Sequence, residues 1–248
     1  MNISQLSAIT KLLSSNPTQA KALLKLANVE VLKSLGDSKY SVLLENKTLT
    51  AQSDKPLKEG ERYWCQSTLK KTETPKLSNL LKMPQMLKNF GRSEVEYTLK
   101  DLQTLLHSKK PEEALKGKII DQLSNATTKE EFISNSNLLL SLQNNTFTIP
   151  INLNNYQWIL QFKKRYNKKT KKSHLDFYAA LEELGPISGI ISLENSTLEI
   201  NLNVAYEKTK NFLEQDMNNF SHHINISLIE TIEPLYNANI NSLLDINV

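Results

Sequence analysis

Leu198, Ile200, Leu202 and Val204 alternate with Glu199, Asn201 and Asn203. A period of two with one apolar side predicts a half-buried strand. Ile187, Ile191 and Leu193 share one face of a preceding strand, and the polar run from Glu194 to Thr197 predicts the turn of an antiparallel hairpin. Tyr206, Leu213, Met217, Phe220 and Ile224 then recur at helical spacing, which predicts one long helix covering the hairpin. Upstream, Phe147, Ile149, Ile151 and Leu153 alternate, and Trp158, Leu160 and Phe162 share a face after a turn at Asn154-Asn155. Leu175, Phe177 and Ala179 resume a strand beyond a basic tract. Residues 146–234 are thus expected to form a carboxy-terminal unit, a five- or six-stranded antiparallel sheet with one long helix. Residues 235–248 read as a flexible tail.

The first part of the chain reads differently. Residues 1–28 look helical, with Asn16-Pro17-Thr18-Gln19 as a helix start. From Val29 to Lys70 the period is two. Val29, Val31 and Leu35 give a first strand and Tyr40, Val42 and Leu44 a second. Leu49 and Ala51 suggest a third, and Tyr63, Cys65 and Leu69 a fourth, so 1–72 predicts an amino-terminal helix and a small barrel-like β unit. Residues 73–145 read as a helical block. Thr74-Pro75 opens a helix that Pro84 kinks or ends, and Gly91 ends the next. Ser93–Glu96 is a capping-box pattern before Leu99, Leu102, Leu105 and Leu106; Lys110-Pro111 and Thr128–Glu131 start two more helices. The expected class is α+β: a small N-terminal β unit, a central helical block, and a C-terminal antiparallel sheet packed with one long helix.

The order strand, Leu184-Gly185, strand, short turn, alternating strand, amphipathic helix, strand resembles the carboxy-terminal domain of flagellar hook-length control proteins. The residues that carry the likeness are Leu184-Gly185, Ile187 and Ile191, Leu198 to Val204, Ala205, and Lys210 before Leu213. Leu181 stands where that family usually has Pro, Gly189 where a β-branched aliphatic is usual, and Lys210 where Arg is common. The run Pro56–Tyr63 also resembles a segment found before the variable region of some hook-length-control-like proteins.

The resemblance implies a non-enzymatic protein that contacts the cytoplasmic domain of the flagellar export-gate switch protein and changes the class of exported substrate. It implies Leu184, Gly185, Ile187 and Ile191 as partner-binding residues, with core packing as their competing role. Gly185 is expected to supply a bend or a positive φ. A cytoplasmic location follows, with passage through the flagellar type III apparatus as an open alternative. Members that measure hook length carry a long low-complexity region, and this chain shows no Pro/Gln/Ser-rich linker. A switching or accessory role therefore transfers more readily than a ruler role.

Composition narrows the chemistry. Net charge is +4, too mild to imply nucleic acid by itself. Cys65 is the only cysteine, so an intramolecular disulfide is excluded and a structural zinc site would lack thiolates. Cys65 beside Trp64 reads as an inert sheet cysteine. The first residues do not read as a secretory signal, and no apolar run is long enough to predict membrane insertion. Phosphate-binding Gly-rich loops and the Gly-x-Ser-x-Gly elbow are missing. His222 and His223 are adjacent and would diverge on a helix, His107 closes a helix, and His174 follows the basic tract. Carboxylate pairs such as Glu182-Glu183 and Glu130-Glu131 carry no acid–base assignment without a cleft. No catalytic residue, metal ligand, cofactor or small-molecule substrate is therefore assigned.

One charged feature stands out. Lys163, Lys164, Arg165, Lys168, Lys169, Lys171 and Lys172 place seven cations in ten residues, interrupted by Tyr166. A solvated hairpin loop explains them, and so does a contact with phosphate or an acidic protein surface. The alternative function is thus a cytosolic binding module using 163–172 on nucleic acid or an anionic surface. A single aromatic makes nucleic acid the weaker partner.

Overall fold

The computed structural model describes residues 26–44, 47–68, 74–90, 97–153, 156–168, 172–194, 197–216 and 223–237. The expected helix starts at Asn16 and at Ser93 lie outside them. The class is α+β, as the patterning predicts.

The amino-terminal β unit is a closed barrel of β1 (Ala27–Gly36), β2 (Lys39–Leu44), β3 (Lys47–Ser53), β4 (Arg62–Thr68) and β5 (Lys76–Lys82), in the order β1-β2-β3-β5-β4. β4 closes onto β1, with Ala27 opposite Cys65 and Val29 opposite Tyr63. Val29, Val31, Val42, Ala51 and Cys65 fill its interior. Ala27 and Asn28, expected at the end of a helix, open β1 instead.

β5 is the main correction to the sequence reading, which expected a helix from Thr74-Pro75 and a boundary at residue 72. Leu77 and Leu80 are both buried although three residues apart. Asn79, at φ 50, lies in a bulge where Gln66 pairs with Ser78 but Trp64 pairs with Leu81. The extra residue returns Leu80 to the interior, so a bulged strand mimics helical spacing.

Among the described residues four helices follow: α1 (Gln85–Phe90), α2 (Leu99–His107), α3 (Pro111–Ser124) and α4 (Lys129–Gln143). Among the described residues, α2 is started by Thr98. Its hydroxyl accepts from Asp101 N while the Asp101 carboxylate accepts from Thr98 N. This is a capping box at the first turn of the helix it stabilises. Pro111 at the first turn of α3 and the Thr128–Glu131 capping box of α4 match expectation.

The carboxy-terminal sheet comprises β6 (Phe147–Leu153), β7 (Tyr156–Asn167), β8 (Lys172–Leu181), β9 (Gly185–Glu194), β10 (Thr197–Val204) and β11 (His223–Leu228), in the order β11-β10-β9-β8-β7-β6. β6 to β10 are antiparallel neighbours. β11 is parallel to β10, because α5 (Glu207–Asp216) carries the chain back between them.

α5 is shorter than the expected long helix. Tyr206 precedes it, Met217 and Phe220 lie outside the described residues, and Ile224 belongs to β11. His223 likewise begins a strand and does not sit on a helix end. Nor is the basic tract wholly a loop: β7 runs through Lys163, Lys164 and Arg165 to Asn167, Lys168 lies in a turn, and β8 starts at Lys172.

One sheet face is apolar across the strands. Leu160, Ala179, Ile187 and Val204 fall in one row, and Leu175, Ile191, Ile200 and Ile224 in another. All eight are buried, and α5 adds Leu213 to the same core. The opposite face is also covered at β6–β8. There Ser141 of α4 bonds Thr148, and Gln161 bonds the main chain of Tyr236 through both its amide nitrogen and its oxygen. Ile232 is buried and Leu235 and Tyr236 pack against the core, so these two residues of the expected tail pack with the sheet unit. Over β9–β11 no described residue covers that second face.

Candidate functional site

Leu184 and Gly185 lie at the turn between β8 and β9. Gly185 takes φ +80, as its role in setting the strand entry requires. A Cβ placed there would come within 2.7 Å of the Tyr206 ring and 3.3 Å of Leu26. Thr209 of α5 donates to the Leu184 carbonyl at 2.6 Å, and the Tyr206 hydroxyl donates to the Asn79 carbonyl of β5 at 2.9 Å. The Leu-Gly pair is thus clasped between α5 and the barrel.

The same turn region receives the barrel from its other side. Trp64 Nε1 donates to the Leu181 carbonyl at 3.0 Å, and Arg62 reaches the Glu182 carboxylate at 2.8 Å. The second oxygen of Glu182 accepts from Gln157 N at 3.0 Å. Glu182 is almost buried and satisfied on both oxygens, the condition under which a carboxylate is tolerated inside. The Trp64–Leu181 and Arg62–Glu182 joints span 117 and 120 residues in sequence, and local patterning gave no sign of them.

The expected partner-binding set separates on burial. Ile187 is 2% exposed and Ile191 0% exposed, so both serve the core and offer no side-chain surface to a partner. Gly185 is buried and Leu184 only partly open. Gly189, where a branched aliphatic was expected, is explained by Phe177 directly across from it. A Cβ at 189 would meet the Phe177 ring at 2.6 Å and the Asn201 carbonyl at 2.2 Å. The ring occupies the space a branched residue would need.

Alternation places the other residues of β9 on the open face. Ile190 is 44% exposed there, between Ser188 and Ser192. Across the strands it aligns with Asp176, Asn201 and Asn225. Asn225 donates to the Asn201 side-chain oxygen at 2.9 Å, and Asn201 donates to Glu199 at 3.3 Å. The result is a flat polar surface held by side-chain amides, with one exposed aliphatic near its centre. Such a surface suits protein contact more than it suits a small molecule, which prefers a concave site.

The basic tract borders this surface. Arg165 Nε lies 3.0 Å from Asp176 Oδ2, and His174 Nε2 3.3 Å from the other oxygen. Lys164, Lys168 and Lys172 are exposed, Lys163 is partly so, and Lys169 and Lys171 lie outside the described residues.

Cys65 is fully buried, its thiol 3.5 Å from the Ala27 carbonyl, and burial pushes its pKa up to about 12. A thiol so held is not a nucleophile at neutral pH. His107, His174 and His223 sit on three separate elements, and the described residues include no group of three or more His, Cys, Asp or Glu placed to share a metal ion. No described helix is long and apolar enough to cross a membrane.

No protein-family model, curated protein or solved structure matches this chain.

Proposed function

We propose that the chain is a hook-length-control-like protein that acts by binding, contacting the cytoplasmic domain of the flagellar export-gate switch protein and biasing the class of substrate exported. The observation that carries this reading is the order β8, Leu184-Gly185, β9, β10, α5, β11, which reproduces the element order on which the resemblance rests. The contact surface is the open face of β9–β11 around Ile190, because the aliphatics first favoured, Ile187 and Ile191, are consumed by the core. The partner's state would shift only by as much as this face binds one state better than the other. Deleting the gene in its flagellated host and measuring hooks by electron microscopy tests the role. Hooks of altered length, or hooks without filaments, are the expected result. Wild-type hooks with normal filaments would contradict it.

A further inference from the structure

In the basic tract β7 outruns its outer neighbour β6, while β8 keeps β9 beside it as far as His174 opposite Ser192. β6 pairs with β7 as far as Phe147 opposite Phe162, whereas β7 and β8 go on pairing to Asn167 opposite Lys172. Asn145, at φ 55, bends the chain from α4 into β6, so β6 cannot accompany β7 further. Lys163–Asn167 therefore has β8 on one side and, among the described residues, no strand on the other. Among the described residues, no further strand takes up the main-chain donors and acceptors along that edge, which leaves them open to pairing.

Side chains alternate along it. Lys164 and Tyr166 project from one face, Lys163 and Arg165 from the other. Arg165 is engaged by Asp176, while no ion pair ties Lys163, Lys164 or Lys168 among the described residues. The charge is also segregated. Residues 163–172 hold seven Lys or Arg and no carboxylate, whereas the rest of the chain has 23 Lys or Arg against 26 Asp or Glu. A strongly positive edge thus borders a slightly acidic body.

We propose that the free edge of β7 at Lys163–Asn167 docks an extended acidic segment of a partner protein, which adds to the sheet as a further strand. Backbone pairing supplies the fit, and the alternating cations select the sequence. A basic segment, or the same edge of a second copy, would be repelled; acidic side chains on either face of the added strand would meet Lys163 on one side and Lys164 on the other. Nucleic acid is the poorer occupant. Tyr166, 59% exposed, is a lone stacking platform, whereas single-stranded nucleic acid is held by several. This inference concerns a site apart from the Ile190 face and stands without the export-gate reading.

Fluorescence anisotropy with the full chain tests it, using a short labelled peptide of alternating Glu and Thr. The peptide should bind with an affinity that falls as salt rises, and Lys164→Glu with Lys168→Glu should weaken it at least about tenfold. Both lysines are exposed, so an unchanged urea midpoint checks that the variant is folded. The same peptide N-methylated at alternate residues keeps its charge but cannot pair, and its binding should be lost. Equal binding of the methylated peptide would overturn strand addition. Binding of duplex DNA or of phosphatidylserine vesicles in place of the peptide would overturn the choice of partner. Binding of none of these would leave the lysines as guards against edge-to-edge association and overturn the proposal.

Discussion

The Trp64 indole donates to the Leu181 carbonyl at 3.0 Å, with the side chain only 1% exposed, and so fixes the barrel to the end of the β8 strand. The Arg62–Glu182 pair lies beside it. Together they make the barrel and the sheet one cooperative body. Trp64→Phe keeps most of the apolar volume but strands a buried carbonyl, which costs about 1–3 kcal/mol. Urea unfolding should show that loss as a lower midpoint. A double-mutant cycle of Arg62→Met with Glu182→Gln should give a coupling of roughly 0.5–3 kcal/mol, as expected for contacting residues.

Gly185→Ala should destabilise more than an ordinary surface change. The positive φ alone costs about 1–2 kcal/mol for a residue with a Cβ, and the Tyr206 ring, 2.7 Å from that Cβ, would have to move as well. Moving Tyr206 disturbs its bond to Asn79, so the loss should be read on both units in hydrogen exchange. Protection that falls only near residue 185 would show that the clasp does not couple them.

Ile187 and Ile190 are three residues apart and should behave oppositely. Ile187→Ala opens a cavity under a residue 2% exposed and should cost about 2–5 kcal/mol. Ile190→Asp, on the open face but opposite Asp176, should cost only about 1 kcal/mol. Equal stability losses at the two sites would mean that the β9–β11 face is covered.

Alkaline pH should unfold the chain early. Burial raises the Cys65 thiol from an ordinary 9.0 to about 12. It also raises the phenols of Tyr97, Tyr178 and Tyr206 above their ordinary 10.0. Each group keeps its proton longer in the folded chain than in the unfolded one. The stability they protect is therefore intact below pH 9 and is lost as pH rises through the folded values. The urea midpoint should fall steadily from about pH 9 upward. Cys65 should resist iodoacetamide at pH 8 in the native chain and react once urea unfolds it.

Much of the sheet was legible because its signal is local. Strict alternation in Leu198–Val204 gave β10, and Asn154-Asn155 separated β6 from β7 where the register places the hairpin. Capping chemistry marked Thr128 and Pro111 because a helix start satisfies its own backbone. Three things were not legible. The bulge at Asn79 gave β5 a false helical period. Ile224 lies at a helical interval from Leu213 although the chain leaves the helix between them. Alternation also showed which residues of β9 share a face but not that the core takes Ile187 and Ile191 while Ile190 stays outside. That choice, like the Trp64–Leu181 joint, depends on elements distant in sequence.

Titration of the purified chain with the purified cytoplasmic domain of the export-gate switch protein, followed by isothermal calorimetry, tests the proposed function most directly. Saturable binding should appear with the wild-type chain, and Ile190→Asp should weaken it at least about tenfold, a loss of about 1.4 kcal/mol, while its urea transition shows it still folded under the titration conditions. Absence of binding by the folded wild-type chain, or binding that Ile190→Asp leaves intact, would contradict the assignment.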